Sequence, residues 1–128
     1  MMNRNWIWAL ALAPCLWASP ADQLRALKLA ANDLDAVRTD AAFSRITIAD
    51  RLNETKYRFN ALLKEIDQTE SSANVERAMP ALRAASEDLT AALESFDKVH
   101  VPVLNADFQK HATKFSEHVN ELQKLLSE

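Results

Sequence analysis

The stretch FQKHATKFSEHVNELQKLL, residues 108–126, decides the fold. Phe108, His111, Phe115, His118, Leu122 and Leu125 recur at alternating three- and four-residue steps, and Ala112, Val119 and Leu126 widen the stripe at the next position. This is the helical period, with none of the alternation a half-buried strand requires. A stripe of this width suits a helix that turns one face to a bundle core.

The same period runs back through the chain. Val75, Ala78, Leu82, Ala85, Leu89, Ala92, Phe96 and Val99, flanked by Met79 and Leu93, predict a preceding helix. Ile48, Leu52, Thr55, Phe59, Leu62 and Ile66, with Ala49 and Leu63 beside them, predict another. Leu24, Leu27, Ala31 and Leu34, with Ala30 and Val37, mark the first. Four amphipathic helices on short connections predict an all-α, antiparallel, up-down-up-down four-helix bundle.

The expected boundaries follow from local chemistry. Asp22 caps the first helix behind Pro20, and Thr47 with Asp50 forms a capping box that opens the second. Ser72 or Asn74 caps the third. Pro102 breaks the chain within residues 100–105, since it cannot continue a helix and disfavours helical geometry at Val101. Asn105 then caps the fourth. Pro80 predicts a kink in the third helix or its true start. His100 suits the C-terminal end of that helix, where the dipole favours a cation. Residues 39–46 read as a connection, because continuing the heptad places Arg38 and Arg45 in the core, where an unpaired arginine costs several kcal/mol. The alternative is one helix over residues 21–66, giving three long helices.

The first 21 residues differ in kind from the rest. Arg4 is their only charge, residues 6–17 are an uncharged apolar run, and Ser19, Pro20 and Ala21 follow. A basic start, a short apolar core and small residues at −3 and −1 predict a cleaved secretory signal peptide and a periplasmic product. The run is too short to span a membrane, which takes about 20 apolar residues. Leu12, Ala13, Pro14 and Cys15 approximate a lipoprotein box, but Pro14 stands where a small residue is wanted. Residues 22–128 then form one helical domain.

That domain would carry 14 basic and 18 acidic residues and no cysteine, since Cys15 and all three tryptophans lie in the leader. It must be held by its core alone, without disulfides or metal–thiolate sites. No basic stripe exists to displace counterions from nucleic acid, and nothing favours an anionic membrane. The whole chain contains no glycine, which removes phosphate-cradling loops and the turns that build them.

His111 and His118 are the oddities of the stripe. Seven residues apart on a helix they point the same way at about 10.5 Å, too far to share one metal ion. Antiparallel counting sets His118 near Ala85 or Ser86, Thr55 and Ala31, and His111 near Ala92 or Leu93. Both read as core-edge histidines. The alternative is that His118, or less readily His111, ligates haem b. In size, export signal and bundle form the chain resembles cytochrome b562, whose iron lies between a Met early in the first helix and a His late in the last. The resemblance implies haem on His118, yet residues 22–38 contain no Met, and Met79 falls about a heptad away.

Neither Glu-x-x-His pairs, Cys-x-x-Cys-His nor His-Glu-x-x-His occurs, which excludes di-iron, covalent-haem and zinc-protease sites. No oxyanion hole is suggested. The chain therefore reads as a non-catalytic binding or accessory protein, acting on a protein partner or small ligand or by self-association. Phe43, Phe59, Phe96, Phe108 and Phe115 are assigned to the core, and the charged residues, Glu87 and Asp88 among them, to solvated faces. Phe43 and Arg45 in the least regular stretch, and Tyr57 outside its stripe, are the expected partner contacts.

Overall fold

The computed structural model describes residues 19–68 and 72–126. They form four α-helices and one short 3-10 turn, with no strand among the described residues. These are α1 (Pro20–Arg38), α2 (Arg45–Gln68), α3 (Ala73–Asp97) and α4 (Ala106–Leu126), with the 3-10 turn Pro102–Leu104 between α3 and α4. The expected leader lies almost wholly outside the described residues.

With no glycine to end them, the helices are bounded by side chains. Ser19, rather than Asp22, caps α1. Its hydroxyl accepts from the Asp22 N–H, the Asp22 carboxylate accepts from the Ser19 N–H, and Pro20 takes the first turn. Asp22 is thus the returning half of a capping box. At α2 the hydroxyl of Ser44, not that of Thr47, accepts from the third residue on, at 3.2 Å from the Thr47 nitrogen. The connection is consequently shorter than its sequence suggests, and Arg45 belongs to the helix. Ser72 caps α3, and Asn105 accepts from the Phe108 N–H at 2.8 Å to start α4. α3 runs unbroken through Pro80.

The stripes find one another unevenly. α1 packs along α2, α3 along α4, and α1 along α4, whereas α2 and α3 touch at few points. α3 and α4 run in opposite directions: Phe96 meets Phe108 near their connection, and Asp88 meets His118 farther along. At the centre Phe59 of α2 meets Phe115 of α4 edge to face, with ring centroids 5.6 Å apart. Both rings are buried, as are Leu24, Leu27, Ile48, Leu62, Val119 and Leu122 of the same core. Among the described residues the one buried hydroxyl, on Thr55, donates to the Arg51 carbonyl at 2.8 Å, with the Ala30 carbonyl of α1 at 3.3 Å. Phe43 departs from its expected place in the core and is 43% exposed.

Truncating Phe115 to Ala removes half of the central ring pair and leaves a void, so urea unfolding should show a loss of about 3–5 kcal/mol. The cap of α1 has its own pH signature. The Ser19 N–H, then the Arg25 and Ser19 side chains, hold the Asp22 carboxyl below the usual carboxylate range. A folded value below the unfolded one means that the stabilisation is complete above the unfolded value and is lost as pH falls through the folded one. Amide exchange in the first turn of α1 should therefore accelerate as pH falls below 4, relative to the rest of the helix and after correction for intrinsic rates, and Asp22→Asn should abolish that dependence.

Candidate functional site

Two polar side chains bind the connection after α1 to the connection after α3. The Arg45 guanidinium, at the first turn of α2, donates to the Phe96 carbonyl at 2.8 Å and the Val99 carbonyl at 3.1 Å, and lies 4.2 Å over the Phe96 ring. It does for the end of α3 what His100 was expected to do; His100 stands beyond that end and is exposed. The Gln109 carboxamide donates to the Arg38 carbonyl at 2.6 Å and the Pro102 carbonyl at 3.2 Å. Both connections therefore lie at one end of the molecule.

Arg38 anchors that end from within. Its side chain is buried, a placement the sequence reading rejected as too costly for an unpaired arginine, but every arm is paired. Nε donates to Asp35 at 2.8 Å, one terminal nitrogen to Gln109, and the other to Thr113 at 3.2 Å. Asp35 also accepts from the Ser116 hydroxyl at 2.7 Å. A buried charge is tolerated when its hydrogen bonds are satisfied, and a planar guanidinium can serve three partners at once.

The surface so held is apolar. Phe43 and Ile46 (74% exposed) project from the first connection and the start of α2, and Val101 (52%) and Leu104 (81%) from the second. Apart from Leu29 and Tyr57, these are the exposed large hydrophobic residues among those described. Of the three expected partner contacts, Phe43 and Arg45 belong to this end, with Arg45 engaged inside the chain. Tyr57 is exposed mid-helix on α2, with the Arg58 guanidinium beside its ring.

The histidines meet elsewhere, on the seam between α3 and α4. His111 Nδ1 lies 2.9 Å from one oxygen of Asp88, and His118 Nε2 lies 3.1 Å from the other. Asp88 is half-buried between them, not on a solvated face. Its place midway between the two counted layers is what allows one carboxylate to serve both rings. His118 Nδ1 is 3.6 Å from Glu121. Each nitrogen of His118 thus faces a carboxylate. Among the described residues no three metal-ligating side chains are arranged to hold one metal ion.

A third feature is a cleft of about 430 Å³ where α2 and α3 fail to close, lined by Leu63, Ile66, Met79 and Leu82 with Lys64 and Asp67. No described helix is long and apolar enough to cross a membrane. No family model matches the chain, and neither does any curated protein or solved structure.

Sequence reasoning named Phe43 and Arg45, which lie at this end, but not Ile46, Val101 and Leu104, which sit outside any periodic stripe and are exposed in and beside the chain's two connections. It also missed Asp88, although two histidines on one edge of α4 called for an acceptor on the helix opposite. Replacing Arg38 by Lys keeps the charge but forfeits the three-way fork. The loss expected in denaturant unfolding is about 2 kcal/mol, the scale of leaving buried partners unsatisfied.

Proposed function

We propose that this chain is an exported, non-catalytic helical protein that works by contact, with the end built from its two connections as the docking surface. The observation that carries the reading is the gathering of Phe43, Ile46, Val101 and Leu104 on segments tied together by Arg45 and Gln109. Apolar side chains scattered singly over a surface need no explanation, but four on two segments tied together at one end of the molecule favour an interaction site. The up-down-up-down bundle belongs to the same reading. It is supported by the opposed direction of α3 and α4 and by the α1–α4 contacts, which pair Arg38 with Gln109 at one end and Lys28 with Asn120 toward the other.

Export rests on the sequence of residues 1–21. Cleavage after Ala21 would remove Ser19 and with it the capping box of α1, at a cost of about 1 kcal/mol. Intact mass of the protein recovered from the periplasm reads both the export and the cut; a chain that keeps its leader and stays in the cytoplasm would overturn this half of the proposal.

The docking surface is tested with a photo-cross-linking residue placed at Leu104 in living cells, and at Leu29 as an exposed control away from that end. Adducts should form from position 104 and not from position 29. Equal yields at the two positions, or none at 104, would overturn it.

A further inference from the structure

We propose that the cleft between α2 and α3 binds a single-chain zwitterionic amphiphile, its alkyl chain between the two helices and its two head charges on Lys64 and Asp67. The site is separate from the docking end. Leu63 and Ile66 belong to the last two turns of α2, and Met79 and Leu82 to the second and third turns of α3, away from the connections after α1 and α3.

The form of the cleft selects a small molecule. It is one concavity of about 430 Å³, within the roughly 300–1,000 Å³ of small-molecule sites. A bilayer surface is too broad to enter it, whereas a single alkyl chain is not. α2 and α3 touch at few points, so a chain enters without parting a packed seam.

The wall selects the part that enters. Leu82 is buried, and Leu63, Ile66 and Met79 are half-buried. Apart from the weak thioether acceptor of Met79, these side chains offer no hydrogen bond. A polar atom placed among them would lose its water without replacement, so the entering part is hydrocarbon. The wall holds no aromatic ring to stack on a flat plate, and the unbranched Met79 side chain adapts to a flexible occupant.

The mouth selects the head. Lys64 and Asp67 both line the cleft, and both are exposed. Three residues apart, they are neighbours on the surface of α2. Among the described residues neither forms an ion pair, with the other or with any third group. A fatty acid would be drawn to Lys64 and repelled by Asp67, and an alkylammonium would meet the reverse. A head that carries an anion beside a cation answers both, with its phosphate to Lys64 and its ammonium to Asp67. A lysophospholipid with a phosphoethanolamine or phosphocholine head has that chemistry.

Isothermal titration calorimetry of the purified full chain tests this with dodecylphosphocholine, dodecanoate and dodecyltrimethylammonium, each below its micelle-forming concentration. One dodecylphosphocholine should bind per chain, with the negative heat-capacity change that marks apolar burial. It should bind roughly five-fold tighter than either singly charged probe, the scale of exchanging one exposed ion pair for a repulsion. Lys64→Glu leaves two acids at the mouth and should make dodecyltrimethylammonium the better ligand. Asp67→Lys leaves two bases and should make dodecanoate the better ligand. Both replaced side chains are exposed, so these variants keep the fold. Met79→Trp fills the cleft and should abolish binding, with an unchanged circular dichroism spectrum as its control. No heat from any probe, equal affinity for the three heads, or selectivity that ignores both charge exchanges would overturn the inference. One probe per two chains would place the cleft inside a dimer, and flotation of the chain with phosphatidylethanolamine vesicles would place the site on a bilayer. Either result also overturns it.

Discussion

The seam between α1 and α4 makes one molecule out of two helical hairpins. α1 with α2, and α3 with α4, each bury part of their stripes locally, but α2 and α3 scarcely meet. The halves are therefore joined by α1 against α4 and by the Phe59–Phe115 contact at the centre. Along that seam the apolar rows are backed by a polar row. Lys28 reaches Asn120, Asp35 reaches Ser116, and Arg38 reaches Gln109 and Thr113. Apolar burial supplies most of the free energy, and it is non-directional. The polar row supplies what burial cannot, a fixed register of one helix against the other, since sliding α1 by a turn would strand a buried guanidinium.

Much of the fold was legible because helical burial leaves a periodic trace. Leu24, Leu27, Leu82, Leu89, Phe108, Phe115 and Leu122 fall where the three-and-four spacing sets them, and all are buried. The helix starts were harder to place. Ser19 and Asp22 both suit a cap, as do Ser44 and Thr47, and only the backbone shows which hydroxyl lies outside the helix. A buried Arg38 was counted as too costly to accept, yet it is buried, because its partners lie far along the chain on α4. Phe43 was assigned both to the core, on residue type alone, and to a partner contact; it has no periodic neighbours, and it is exposed.

The end built from the two connections was half legible for the same reason. Pattern reasoning operates within an element, and residues 39–44 and 98–105 show no pattern of their own. Their meaning comes from adjacency, which long-range hydrogen bonds from Arg45 and Gln109 create. Without glycine, neither connection can use the left-handed residue that ends many helices. The carbonyls at the close of α1 and α3 are answered by backbone N–H groups of the connections and, at Arg38 and Phe96, by side chains from other helices. The same substitutions that satisfy those carbonyls also hold the apolar tips in place.

The loosely joined side of the molecule has a consequence of its own. A volume sewn along its spine opens at the fore-edge, and here the spine is α1 with α4 while the fore-edge is α2 with α3. Breathing motions cost least where the fewest apolar contacts must part. Water therefore first enters beside Leu63, Ile66 and Met79, wetting the interior from that margin while the far edge of the pages stays bound.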